Sequence, residues 1–395
     1  MRHDIRQQAL PSRPHIGVLV GTDSSYGRSI LQGIARYANL QRNWIIFKDL
    51  NKILKSRGRW PEFDGLIFAG VSLDLFNYGV KRCKNVVRCS GTADPAVSGV
   101  VALDDVAAGA QAAEHLINCR FENFAYYGIL PKFLTSLKRL NGFRGAVEQR
   151  GFTCIECPVR QPTEQQLISH SHHPQLIKWL REIPRPIGIM TFDDSCANDL
   201  AGTCVEAGIA VPEQVAIVGT NNDELLCETA WPPLSSVVGD FARVGYAAAQ
   251  LLDRMICNET LGSQDRLLLL PPLGVMQRQS TDVLAVKDSN MADALRFIRE
   301  HACDPCSVKH VLHAVPVGRR WLERQFLSQL GRTPHDEITR VRIETAKRLL
   351  THSDMTVAQI TRRCGYVGDN NFHAAFRQLT GTTPAAFRRE AKGDK

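Results

Sequence analysis

The sequence predicts a chain in two parts. Residues 14–281 read as an α/β region of two doubly wound lobes, and residues 291–395 as an all-α region with two helix-turn-helix units. Three observations lead there. Short apolar runs of strand length alternate with amphipathic runs of helix length from residue 14 to 281, a pattern that builds parallel sheets with right-handed crossovers. That stretch is too long for one small sheet, so it divides into two lobes with a cleft between them. Near the C-terminus Phe326, Gly331 and Pro334 recur 50 positions later as Phe376, Gly381 and Pro384. The charge is uneven as well. Residues 290–395 hold 18 Lys and Arg against 11 Asp and Glu, seven of the net eight positive charges on the 395 residues.

Residues 1–13 are charged and polar and read as a loose tail. Strands are expected at His15–Thr22, Trp44–Leu50, Phe63–Gly70, Asn85–Ser90, Gly99–Leu103, Phe124–Ile129, Phe152–Pro158, Pro186–Phe192 and Val215–Gly219. Helical spacing covers Tyr26–Leu40, Asp105–Cys119, Ser136–Arg150, Gln165–Glu182, Ser195–Gly208 and Asp240–Cys257. Residues 282–290 lose the pattern and read as a polar linker. Ligands of doubly wound sheets sit beyond the carboxyl ends of the strands. Four such ends carry polar clusters: Gly21–Tyr26, Leu103–Asp105, Phe192–Asp194 and Gly219–Asp223. Their Asp, Asn and Ser side chains suit a polyhydroxylated ligand, and equally suit the ordinary duty of helix N-caps.

In the helical region the first unit pairs Ser307–Val315 with Arg319–Leu330, and the second pairs Thr356–Cys364 with Asp369–Leu379. Leu322 and Phe326, and then Phe372 and Phe376, are four apart and anchor each second helix inward. Arg319, Arg320, Glu323 and Arg324 are left outward on the first unit; Asp369, Asn370, Asn371, His373 and Arg377 are left on the second. Arg and Asn are the side chains that read guanine and adenine edges, and a recognition helix presents its first turns to the major groove. Arg340–Leu350 joins the units, and two units docked on one duplex face lie roughly 34 Å apart. The expected partner is therefore double-stranded DNA, which also suits the basic tail.

Other chemistries are disfavoured. There is no Gly-Lys dipeptide for a phosphate-binding loop, no nucleophile elbow and no His-Glu-x-x-His zinc motif, so no enzyme and no cofactor are expected. Cys154 and Cys157 form a C-x-x-C in a strand-like run, whereas redox pairs open helices. Cys303, Cys306, His310 and His313 offer zinc-type donors, but at spacing tighter than a zinc finger's, so no metal is expected. The longest apolar run, Leu267–Met276, is interrupted by Pro271 and Pro272 and is too short for a membrane helix. With no secretory signal at the N-terminus, a cytoplasmic protein with reduced thiols is expected. Size and ordinary surface composition suggest a homodimer.

The run Gly365-Tyr366, Phe372, Phe376, Gly381, Pro384 and Phe387-Arg388 resembles the signature of the arabinose-operon-regulator (AraC) family over about the last hundred residues. Ala374 and Asn371 depart from it, which bears on the operator read. Ala125-Tyr126-Tyr127-Gly128, Val211-Pro212-Glu213, Leu234–Val237 and Arg278–Thr281 are similar to the ligand core of lactose-repressor-type proteins, itself like periplasmic binding proteins. The resemblance implies a transcriptional regulator whose front part binds a small effector, a monosaccharide such as xylose, through Tyr26, Asp104, Arg139, Asp193 and Asn221. Arg139 would grip hydroxyls and Asp193 would accept from two of them. A non-sugar effector, or a front part that only dimerises, is the alternative. Gly219-Thr220-Asn221-Asn222 stands where the family usually places a carboxylate.

Overall fold

A computed structural model describes residues 13–40, 44–48, 61–70, 73–91, 97–128, 134–159, 173–262, 264–282 and 288–392. Residues 1–12 of the tail predicted over 1–13, part of the helix predicted over 165–182 and most of the predicted linker lie outside them. The chain forms two compact units, one of residues 1–211 with 216–282, the other of Pro212–Val215 with 283–395.

The first unit holds two six-stranded sheets. One is built from β1 (His15–Val20), β2 (Ile45–Phe47), β3 (Gly65–Ala69), β4 (Val86–Arg88), β5 (Gly99–Leu103) and β11 (Leu267–Leu270). The other is built from β6 (Phe124–Tyr127), β7 (Cys154–Glu156), β8 (Ile187–Thr191), β9 (Val215–Thr220), β10 (Ser235–Val238) and β12 (Gly274–Met276). Their orders, β2-β1-β3-β4-β5-β11 and β7-β6-β8-β9-β10-β12, are the same arrangement twice. Every pairing in the first sheet is parallel, whereas β12 runs antiparallel to β10. The central strands are apolar on both faces and buried throughout, as sheets covered by helices on both sides require.

Among the described residues the helices of this unit are α1 (Ser25–Leu40), α2 (Leu73–Val80), α3 (Asp105–Asn118), α4 (Leu134–Gln149), α5 (His173–Glu182), α6 (Asp194–Glu206), α7 (Glu224–Thr229) and α8 (Phe241–Ile256). Two of them change lobes. α3 leaves β5 of the first sheet but packs along α4 against the second, and α8 leaves β10 of the second but packs along α1 against the first. Glycines make both packings close. A Cβ at Gly109 would meet Arg139 O at 2.1 Å and one at Gly142 would meet Val106 O at 2.0 Å; Gly33 and Gly245 stand likewise against Ala242 O and Ile30 O at 1.9 and 2.0 Å. The chain thus crosses between lobes at Leu103–Asp105, Val238–Phe241 and Leu270–Gly274.

The second unit is helical: α9 (Ser289–His301), α10 (Val308–Ala314), α11 (Arg319–Leu330), α12 (Pro334–His352), α13 (Val357–Arg363), α14 (Asp369–Thr380) and α15 (Pro384–Lys392). The repeat seen in the sequence is a repeat of structure. α10 and α13 have 7 residues each, α11 and α14 have 12 each. α11 and α14 end on Gly331 and Gly381 at φ 67° and 75°, left-handed positions that glycine takes without strain. Pro334 and Pro384 then open the helices that follow, where a missing N–H costs nothing. The Thr333 and Thr356 side chains close capping boxes at the starts of α12 and α13.

Candidate functional site

The loops after β1 and β9 face each other across a cleft of about 560 Å³, lined on one side by Ser24, Tyr26 and Gly70 and on the other by Ser195, Asp223 and Leu226. It lies beyond the carboxyl ends of strands from both sheets, where doubly wound folds hold ligands. Asp223 accepts the Ser25 backbone N–H at 2.8 Å, joining the two sides.

Of the five predicted ligand residues, Tyr26 lines this cleft. Its hydroxyl donates to Cys89 O at 2.9 Å, and its ring meets Phe241 edge to face at 4.7 Å. Burial pushes its phenol well above the ordinary range. Arg139 and Asn221 meet each other behind it. Arg139, 4% exposed, donates Nε to Asp105 Oδ1 at 2.8 Å, Nη1 to Phe192 O at 2.5 Å and Nη2 to Asn221 Oδ1 at 3.2 Å. Burial raises the Asp105 carboxyl against the pull of the Arg139 guanidinium. Asp104 and Asp193 serve as caps. Asp104 Oδ1 accepts from the N–H groups of Val106 and Ala107 at 3.1 and 3.0 Å, and Asp193 Oδ1 accepts from Cys196 N–H at 2.9 Å. The sequence allowed both duties at these positions, and capping occupies these oxygens.

Three more charged residues belong to the network and were not singled out as site residues, Asp194 and Asp223 at the same strand ends and Arg278 beyond β12. Asp194, 2% exposed, accepts the Ser236 hydroxyl at 2.5 Å and the Asp223 N–H at 2.7 Å. Burial raises its pKa to about 7. Gly219 makes room for it, since a Cβ there would come within 2.2 Å of Asp194 Oδ1. Arg278 donates to Asn222 Oδ1 and to Leu234 O, both at 2.9 Å, and pairs with Glu228 at 2.5 Å. Asn221 and Asn222 hold φ of 102° and 52°, a strained turn that the amide side chains tolerate better than most. The sequence signal was present in the adjacent pairs Asp193-Asp194 and Asn222-Asp223, but nothing local says which member turns inward.

In the helical unit the predicted anchors Leu322, Phe326, Phe372 and Phe376 are all fully buried. Phe372 and Phe376 pack into a cluster with Ile343, Ala346, Leu350, Ile360 and Cys364. Arg320, Arg324, Asp369, Asn370, Asn371, His373 and Arg377 are exposed on α11 and α14. Arg319 is exposed too, and its Nε bonds Glu323, one turn on and half-buried, at 2.9 Å. The N-cap positions of both helices are glycines, Gly318 and Gly368, with no side-chain cap, so the first-turn N–H groups stay open to an outside acceptor. His310 accepts the Ser307 N–H at 3.1 Å in a capping box, and Cys303 lies against Cys364. Two of the four zinc-type donors of the sequence, His310 and Cys303, thus have other neighbours. Among the described residues no helix is long and apolar enough to cross a membrane.

Comparison with known proteins agrees with both halves. Residues 113–281 match the periplasmic binding protein-like domain, and residues 312–390 match a helix-turn-helix domain. The xylose operon regulatory protein of Escherichia coli K12 is 28% identical over 396 residues, covering 95% of this chain and 97% of its own. That of Haemophilus influenzae is 28% identical over 390 residues, covering 94% and 97%. The solved structure of the xylose-binding transcription activator xylR is 27% identical, with a TM-score of 0.81 over 96% of this chain and 98% of that one.

Proposed function

We infer that the chain is a DNA-binding transcription regulator of the arabinose-operon-regulator type, with a periplasmic-binding-protein-like front unit that senses a sugar. The observation that carries the reading is the duplicated helix pair. Two units of equal element lengths bury their aromatic anchors and leave Arg, Asn and His outward at the first turns of their second helices. Such a surface puts hydrogen-bonding side chains at base edges and cations at phosphates. The readers proposed are Arg319, Arg320, Glu323 and Arg324 on α11, and Asp369, Asn370, Asn371, His373 and Arg377 on α14.

The effector proposed is a monosaccharide, xylose or a related pentose, as the names of the relatives at full length suggest. Tyr26, Asp104, Arg139, Asp193 and Asn221 would surround it. Asn221 Oδ1 already accepts from Arg139, so Nδ2 is left for the ligand. The amide thus offers a donor where the usual carboxylate accepts, and the favoured sugar presents an acceptor there. Binding to one lobe arrangement better than another is the only way such a ligand biases the DNA-bound form. A homodimer, a cytoplasmic location and the absence of catalysis complete the reading.

A gel-shift titration against operator fragments, with D-xylose, L-arabinose, D-ribose and hexoses in separate series, tests it. A sugar-dependent change in affinity or stoichiometry is expected. No binding to any fragment removes the DNA-reading role, and identical binding across all sugars removes the sensor.

A further inference from the structure

Cys303 and Cys364 are brought together by the fold of the helical unit. Cys303 sits half-buried in the turn after α9, and Cys364 is the fully buried C-cap of α13. Each thiol is the other's foremost electrostatic neighbour. The backbones are close too. Gly365 has φ 76°, and a Cβ there would come within 2.8 Å of Cys303 O. Arg342 of α12 closes the third side, donating Nε to Ala302 O at 2.6 Å and Nη2 to Cys306 O at 3.1 Å. Its guanidinium lies 5.3 Å from the Tyr366 ring centroid.

The neighbours favour a thiolate at one of the two sulfurs. Cys364 pulls the Cys303 thiol below its ordinary range against the burial that opposes it, with help from Thr345, Arg342 and Arg348. Cys303 and burial together raise the Cys364 thiol. One sulfur is thus partly accessible to an oxidant and the other is a buried, protonated neighbour across a close backbone approach. That is how an attacking thiol and its resolving partner are arranged.

We propose that Cys303 and Cys364 are an oxidation-sensitive pair that a hydroperoxide closes into a disulfide beside the turn of the second helix-turn-helix unit. The Cys303 thiolate attacks the peroxide, the O–O bond breaks, and the sulfur becomes a sulfenic acid while the other oxygen leaves as water after taking a proton. The Cys364 sulfur then displaces that hydroxyl, the S–O bond breaks and its own proton leaves with the second water. Two thiols and one hydrogen peroxide give one disulfide and two waters. The bond ties the turn after α9 to the residue that precedes Gly365, where the chain turns toward α14. This chemistry stands apart from the DNA-reading role; its effect on DNA binding rests on that role.

The reduced full-length chain is treated with stoichiometric hydrogen peroxide at pH 7, digested without reductant and mapped by mass spectrometry. A linked Cys303–Cys364 peptide, lost on adding dithiothreitol, is expected as the main product. Iodoacetamide labelling of Cys303 against pH should show a midpoint below that of an ordinary thiol. In Cys364→Ala, which lacks that neighbour, the labelling midpoint should rise toward the ordinary thiol range. Cys364→Ser keeps a donor of similar size and should stop at a dimedone-trappable sulfenic acid. Circular dichroism confirms that both variants fold. A Cys303–Cys306 link as main product, Cys303 passing to sulfinic acid unlinked, or a wild-type labelling midpoint in the ordinary thiol range would overturn the proposal. Binding of the reduced chain to a fluorescent duplex is scored separately. Its failure sinks the DNA-reading role and leaves the thiol result standing.

Discussion

Asp223 caps a helix in the opposite lobe. Its carboxylate makes no cap for α7, which it precedes, and instead accepts the Ser25 N–H at the start of α1 at 2.8 Å. A positive helix end is thereby satisfied across the cleft, and only while the lobes are close. A charged acceptor on a backbone N–H contributes roughly 1.5–3 kcal/mol net. Asp223→Ala should therefore shift the ligand-free chain toward an open cleft about tenfold or more, seen as a larger radius of gyration in small-angle scattering. Asp223→Asn, which keeps an acceptor oxygen, should shift it less. An unchanged radius in the Ala variant would remove the latch.

Asp194 gives the front unit a pH dependence of defined sign. Its folded pKa is about 7 against an ordinary 3.8, because burial opposes the charge more than Ser236 and the Asp223 N–H support it. The folded state therefore holds a proton that the unfolded state gives up. Stability is full below pH 3.8 and is lost as pH rises through 7, by on the order of 4 kcal/mol at the upper bound. Asp194→Asn can accept the Asp223 N–H with its oxygen and donate to Ser236 with its amide, so it should flatten that slope. Thermal melts from pH 4 to 8 compare the two chains. A variant whose slope equals that of the wild type would show that Asp194 titrates normally.

These two residues show where the sequence was legible and where it was not. The alternation of strands and helices was readable, since period and turn residues are local. So was the duplicated helix pair, since buried Phe and left-handed Gly recur at fixed spacing. The lobe exchange of α3 and α8 was not. Periodicity reports an apolar face, and says nothing of which sheet that face covers. Leu267–Met276 read as one apolar run. It forms two edge strands in different sheets, and Pro271-Pro272 is the passage between them. In the site, polar residues at strand ends were visible, but Asp104 and Asp193 spend oxygens on caps while Asp194 and Asp223 bind across elements. That division depends on contacts between segments far apart in the chain.

Arg139 does structural work besides any work on a ligand. The guanidinium neutralises buried Asp105, fixes Phe192 O and holds Asn221. Removing it strands a carboxylate at 4% exposure, a loss of about 3–5 kcal/mol for a broken buried pair. Arg139→Ala with Asp105→Asn should recover a large part of that in urea denaturation while the response to sugar stays absent. If the double variant regains the sugar response, Arg139 is a support for the fold and touches no ligand.

The two helix-turn-helix units make separable predictions, because their exposed side chains differ in the bonds they already make. Arg320 and Asn370 sit in first turns, where base edges are reached, and each bidentate base contact discriminates by about 1–3 kcal/mol. Arg320→Ala and Asn370→Ala should therefore cost roughly 5- to 150-fold on the operator and little on unrelated duplex. Arg377, two turns along α14, is proposed to meet phosphate. Arg377→Ala should weaken both duplexes alike and lower the salt slope by about 1. Arg319 is bound to Glu323 at 2.9 Å, so it is oriented but partly neutralised. Glu323→Ala should then strengthen binding to any duplex and reduce the preference for the operator, since the freed guanidinium is no longer aimed. Fluorescence anisotropy at several salt concentrations on operator and scrambled duplex separates the cases. Uniform losses for Arg320 and Asn370 on both duplexes would assign them to the backbone and leave the base-reading residues elsewhere on α11 and α14.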